Sequence, residues 1–209
     1  MGLGSGVRAY LIADGIDEPD LSSADAWVVD VRLAMTEGAL GQRRVALLLR
    51  IAGIDLDGLP EPRPDAILLP ASHGREIAHL GARLAVHEAE HGLADGSIGI
   101  VALIDSAAGV LGAGSFAGAS PRLRGIGWDA VLATELGAQP VTAEGDWSPV
   151  LAQARAMVRL AAAAAGVEAI EAAYPGENSG KVIAAARRDG FTAMFARDAL
   201  QARLIGAGP

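Results

Sequence analysis

The sequence predicts one compact (β/α)8 barrel of the TIM type over residues 1–209, with trimmed early helices. Three observations carry that expectation. Eight short apolar runs rich in β-branched residues recur at about one every 26 residues, tight spacing for strand–helix units. The runs are almost continuously hydrophobic, as strands covered on both faces must be. Helical patterns with start and stop signals fill the later gaps. An open doubly wound sheet is the alternative, because periodicity does not report closure.

The runs are VRAYLIA (7–13), AWVVDV (26–31), RVALLLRI (44–51), AILLP (66–70), IGIVALID (98–105), LRGIGWD (123–129), VEAIEAAYP (167–175) and FTAMFA (191–196). The gaps DGIDEPDLSSAD (14–25) and AGIDLDGLPEPRPD (52–65) are polar and contain proline, so they read as loops where full barrel helices would stand. Residues 74–91 place Ile77, Leu80 and Leu84 on one helical face. The stretch 147–166 opens with Ser148-Pro149, a cap followed by proline at the first helical position, and closes at Gly166. A shorter helix over 178–189 has Asn178 as its cap and Gly190 as its stop.

Composition narrows the function classes. Apolar residues make up 51% and charged residues 20%, the balance of a folded domain, and the net charge is −8. No basic stripe accumulates: the cations are arginines apart from Lys181, so a phosphate-backbone partner is not expected. Cysteine is absent, which excludes disulfides and thiolate zinc sites and suits a reducing compartment. MGLGSGVR lacks the apolar core of a secretory signal, and LAAAAAG (160–166) is too short to span a bilayer. The expectation is a cytoplasmic protein with no membrane and no nucleic-acid partner.

One motif invites a different reading. HEAEHG (87–92) matches the H-E-x-x-H of zinc proteases, with two histidines one helical turn apart and a glutamate poised as base. The third ligand is missing. The extended pattern needs glycine at 94 and histidine at 97, where the chain has Ala94 and Ser97, and no glutamate occurs between Glu90 and Glu135. His87 and His91 instead continue the row 77, 80, 84 into the last turn of a helix ended by Gly92, where imidazoles complement the helix's partial negative charge.

In parallel α/β folds, ligands bind at the carboxyl ends of the strands. Those ends carry Asp30, Arg50, Pro70, Asp105, Asp129 and Glu171. Paired carboxylates suit a hard divalent cation such as Mg2+. An arginine beside the ion suits a substrate carboxylate or a developing enolate. The plainer role for such residues is helix capping, and Asp105-Ser106 before AAGVL is a good cap arrangement.

The run IVALIDSAAGVLGAGSFAGASPRLRGIGWDAVLATELG (100–137) resembles the citrate lyase β-subunit-like, or HpcH/HpaI aldolase, superfamily. ADAWVVDV, VALLLRI and PDAILLP are similar to the family's second, third and fourth strands, and AIEAAYP to FARDALQ resembles its last two units. The resemblance implies a TIM barrel, usually oligomeric, whose members make or break carbon–carbon bonds. The implied substrates are 2-oxo or hydroxy acids, often as coenzyme A thioesters, with Mg2+ held by a Glu and an Asp. Carried across by position, Arg50 matches the substrate-binding arginine and catalytic candidate, Arg8 an arginine opening the first strand, and Asp30 the first acid of D-L-E-D, followed by Arg32 and Leu33. Asp105 replaces the metal-binding Glu. Counting back from Leu136-Gly137 puts the second metal position on Val131, and Asp129 substitutes only if its strand is registered two residues differently. Pro70 is followed by Ala71 in place of lysine. Ala193-Met194 and Arg197-Asp198-Ala199 replace Gly-Lys and Ile-His-Pro, with Gln201 in agreement.

Two expectations follow. The first is a divergent carbon–carbon lyase with Mg2+ on Asp105 and Asp129, and with Arg8, Asp30, Arg50 and Glu171 facing the acid substrate. The second is a catalytically degenerate relative that serves as a ligand-binding or assembly subunit. Trimmed helices would leave strand flanks for a neighbouring copy to cover, so a homo-oligomer is expected.

Overall fold

The computed structural model describes residues 7–13, 24–31, 45–51, 56, 59, 63–177 and 179–207. Eight strands close into a barrel in sequence order: β1 (Arg8–Ala13), β2 (Ala26–Asp30), β3 (Ala46–Arg50), β4 (Ala66–Pro70), β5 (Gly99–Ile104), β6 (Leu123–Trp128), β7 (Glu168–Glu171) and β8 (Ala193–Ala196). Every neighbouring pair is parallel, and β8 closes on β1 through the register Tyr10↔Phe195. All eight apolar runs of the sequence are strands, and the doubly wound alternative is set aside. The polar gaps read as missing helices fall largely outside the described residues.

Alternation along the strands sorts side chains into two cores. Tyr10, Val28, Leu48, Leu68, Val101, Leu103, Ile170 and Phe195 fill the barrel interior. The intervening residues, among them Leu47, Ile67, Ile100, Ile126 and Trp128, pack outward under the helices. Large and small residues interlock inside. A Cβ on Gly127 would come within 2.9 Å of the Phe195 ring, so glycine on β6 makes room for the aromatic from β8.

The helices are α1 (Gly74–Glu90), α2 (Ala107–Gly112) with a 3-10 turn at Ala113–Ser115, α3 (Leu132–Glu135), α4 (Pro149–Ala165), α5 (Gly180–Arg188) and α6 (Ala199–Gly206). His73 and Glu76 cap α1 reciprocally, a capping box. Pro149 begins α4 as expected and Gly166, at φ 68°, ends it, but Ser148 makes no capping bond and its Oγ is buried without a partner among the described residues. Ser179 is the N-cap position of α5, and Asn178 lies outside the described residues. At the strands' carboxyl ends the turns pack closely: a Cβ on Gly112 would sit 2.0 Å from the Ser72 carbonyl oxygen, so only glycine lets the last residue of α2 lie against the turn after β4.

Candidate active site

The barrel's carboxyl-end mouth is built by strand tips of inward parity. Asp30 and Arg50 are ladder partners at the ends of β2 and β3. Pro70 ends β4, and Asp105 and Asp129 follow β5 and β6 directly. The last β5–β6 pair is Ile104↔Trp128, and the Asp129 N–H donates to the Ile104 carbonyl at 2.9 Å, so the two aspartates stand side by side one step beyond the ladder. A bulge makes this so. Ile100 pairs with Leu123 but Val101 with Gly125, leaving Arg124 as an extra residue in β6. The insertion turns Gly125, Gly127 and Asp129 inward and puts Trp128 outside; without it the indole would point toward the mouth.

Charge converges on these tips. The Arg50 guanidinium lies 3.8 Å from the Asp129 carboxylate, and the other Asp129 oxygen accepts from the Val131 N–H at 3.0 Å. Burial pushes the Asp105 carboxyl above its ordinary pKa; Arg50 pulls it back, and Asp129 and Glu135 push it up again. Capping does not occupy Asp105, because Ser106 takes that duty by accepting from the Gly109 N–H at 3.2 Å. Glu135, which the sequence reading overlooked, accepts from the Ala107 N–H at 3.0 Å and so ties α3 to the start of α2. Its signal was weak: a lone glutamate four residues into a short helix.

Two adjacent carboxylates with an arginine suit a hard cation that draws its other ligands from water and substrate. They do not make a closed cage: among the described residues no group of three metal-ligating side chains assembles. Val131, at the position suggested by counting from Leu136-Gly137, is half exposed at the start of α3 and offers no donor. Two carboxylates are a partial donor set of the kind Mg2+ uses, with the remaining positions left to water and substrate.

A cavity of about 410 Å³ opens beside Asp129, lined by Val131, Thr134, Pro140, Tyr174 and Arg197 among others. Arg197 follows β8 and donates to the Pro175 carbonyl at 2.6 Å and to Asp198 at 3.2 Å. Buried Gln201 holds this corner, accepting from the Arg197 N–H and donating to the Tyr174 carbonyl.

The family model described as HpcH/HpaI aldolase/citrate lyase matches residues 16–195. The chain belongs to the HpcH/HpaI aldolase/citrate lyase family. No curated protein matches the sequence. Among solved structures, the citrate lyase beta subunit of M. tuberculosis complexed with oxaloacetate and magnesium is 19% identical, with 96% of each chain covered and a TM-score of 0.70. RipC from Yersinia pestis is 24% identical, covering 98% of this chain and 96% of its own, with a TM-score of 0.66. Haloferax volcanii malate synthase, a lead(II) complex, is 15% identical over 99% of this chain and 74% of its own, with a TM-score of 0.72. At these identities the likeness is one of fold.

Two of the residues selected from the sequence stand apart from the mouth of this HpcH/HpaI barrel. Arg8 opens β1 at the opposite end, ion-paired with Glu168 and over the Tyr10 ring. Glu171 ends β7 but turns outward, fully buried beneath α4, where it accepts from the Trp128 indole at 2.8 Å and pairs with Arg155. Burial drives its pKa up against the pull of Arg155 and the hydrogen bonds from Arg155, Trp128 and the Ala172 N–H. Parity explains the miss, since strand-end position alone does not say which way a side chain faces.

The HEAEH segment also differs from its expected row. The buried face of α1 runs Ile77, Leu80, Leu84, Glu88, leaving His87 partly exposed and His91 as the exposed C-cap residue. Glu88 is 1% exposed and accepts from the Gly96 N–H at 2.9 Å, Ser97 Oγ at 3.0 Å and the Ile98 N–H at 2.7 Å, with Arg122 ion-paired at 2.8 Å. The glutamate of the protease-like motif is thus a clamp between α1, the turn into β5 and the Ser-Pro-Arg segment before β6. It is not available as a base.

Proposed function

We propose that this chain is a metal-dependent carbon–carbon lyase or aldolase acting on a 2-oxo or hydroxy acid, free or as a thioester. The observation that carries the reading is the placement of Asp105 and Asp129 on adjacent strand tips with the Arg50 guanidinium 3.8 Å from Asp129. Asp105 and Asp129 would hold Mg2+. When bound there, the ion supplies Lewis-acid polarisation of the substrate's oxygen. Arg50 neutralises the acid's carboxylate and the negative charge that develops as the carbon–carbon bond breaks. Asp30, paired in register with Arg50, holds that side of the mouth. The cavity beside Asp129 takes the remainder of the acid, with Arg197 as a second cation at its wall.

The M. tuberculosis relative binds oxaloacetate with magnesium, which makes oxaloacetate a reasonable probe. Calorimetric titration with Mg2+, alone and with oxaloacetate, tests the proposal. It expects micromolar to low-millimolar Mg2+ binding that disappears in Asp105→Ala, and turnover on a panel of malyl-, citramalyl- and citryl-thioesters and free oxo acids. Absence of Mg2+ binding sinks it. Val131, where the family's count places a carboxylate, favours a second reading, a binding subunit without turnover. Mg2+ and acid binding with no product from any panel member would select that one.

A further inference from the structure

The HEAEH segment leaves two imidazoles that neither the barrel mouth nor the Glu88 clamp uses. His87 stands in the last turn of α1 and His91 is its C-cap, so the two lie one turn apart on the solvent side. Their rings are 4.2 Å apart between centroids and inclined by 31°. His91 Nδ1 sits 2.8 Å from the His87 carbonyl oxygen. A ring nitrogen facing a carbonyl carries the proton, which in the neutral ring leaves the lone pair on Nε2. Anchoring one ring nitrogen on a backbone carbonyl is how metal-binding histidines are commonly oriented. The carbonyl-rich helix end also favours a cation.

We propose that His87 and His91 form a surface chelate for a first-row divalent transition ion, separate from the carboxylate pair at the other end of the barrel. Two imidazoles supply the protein ligands, and water completes the shell, because no third metal-ligating side chain joins them among the described residues. Neutral imidazole selects Cu2+, Ni2+ and Zn2+ over Mg2+, with Cu2+ bound most tightly. Glu88 does not serve the pair as a base, since it is committed to Arg122 and the 96–98 backbone.

The test is calorimetry of the full chain with Cu2+, Ni2+ and Zn2+ at neutral pH in the presence of excess Mg2+. One ion per chain is expected, in the order Cu2+ above Ni2+ and Zn2+. His87→Gln and His91→Gln should each weaken it by about tenfold or more, as removing a ligand should exceed the effect of losing an outer partner. His79→Gln, on the same helix but outside the pair, and Asp105→Ala should leave it unchanged. Absence of binding, competition by Mg2+, or wild-type affinity in the His87→Gln or His91→Gln variant overturns the proposal. Since Asp105→Ala removes the proposed Mg2+ site and spares this one, the two readings fail separately.

Discussion

Replacing Glu88 with alanine separates a structural clamp from a catalytic base. The side chain is 1% exposed, and its removal takes three hydrogen bonds and the Arg122 ion pair with it. Arg122 is itself 5% exposed and would keep Asp95, whose side chain is 89% exposed, and a long hydrogen bond to the Ile98 carbonyl at 3.4 Å. Breaking a buried pair by deleting one partner costs about 3–5 kcal/mol, and the surviving Asp95 contact places this case at the lower end, about 3 kcal/mol. For a chain of this size that lowers Tm by about 6–12 °C. Burial raises the Glu88 pKa, but hydrogen bonds from Ile98, Arg122, Gly96 and Ser97 outweigh it and hold the carboxyl below its ordinary value. A depressed folded-state pKa gives stability that is complete above the unfolded value of about 4.3 and is lost as pH falls through the folded one. Urea denaturation from neutral pH downward should show a gap between wild type and variant that narrows below that value. A loss under about 1 kcal/mol at neutral pH, or a gap indifferent to acid, would refute the clamp.

Other consequences follow from single contacts. Gly112→Ala drives a methyl to 2.0 Å from the Ser72 carbonyl oxygen, so it should cost about 3 kcal/mol in chemical denaturation, because backbone on both sides must yield. Trp128→Phe removes the indole N–H that buried Glu171 accepts, and a loss of about 2 kcal/mol is expected; the same variant should weaken Mg2+ binding, since Trp128 immediately precedes Asp129. Arg197→Ala should weaken oxaloacetate by about tenfold in calorimetry while sparing pyruvate, which lacks the second carboxylate.

Much of this architecture was legible in the sequence because burial on both faces leaves its mark on composition. Each apolar run became a strand, and Pro149 and Gly166 bounded α4 by the same backbone preferences that identify them on paper. What escaped were properties of facing. The bulge at Arg124 has no sequence marker, yet it decides that Asp129, two residues before Val131, stands beside Asp105. Glu171 looked equivalent to the other strand-end acids but faces the helix layer, and Glu88 looked like part of a catalytic motif but continues the buried row of α1. Arg197 stood out only as a departure from the family's last strand, because its significance lies in a cavity shared with Asp129, far away along the chain.

A crystal structure of the protein soaked with Mg2+ and oxaloacetate would look at the centre of this account. It should contain an ion bridging the carboxylates of residues 105 and 129 and the ligand's carboxylate against the guanidinium of Arg50. An ion bound elsewhere, or an acid seated away from that mouth, would contradict it.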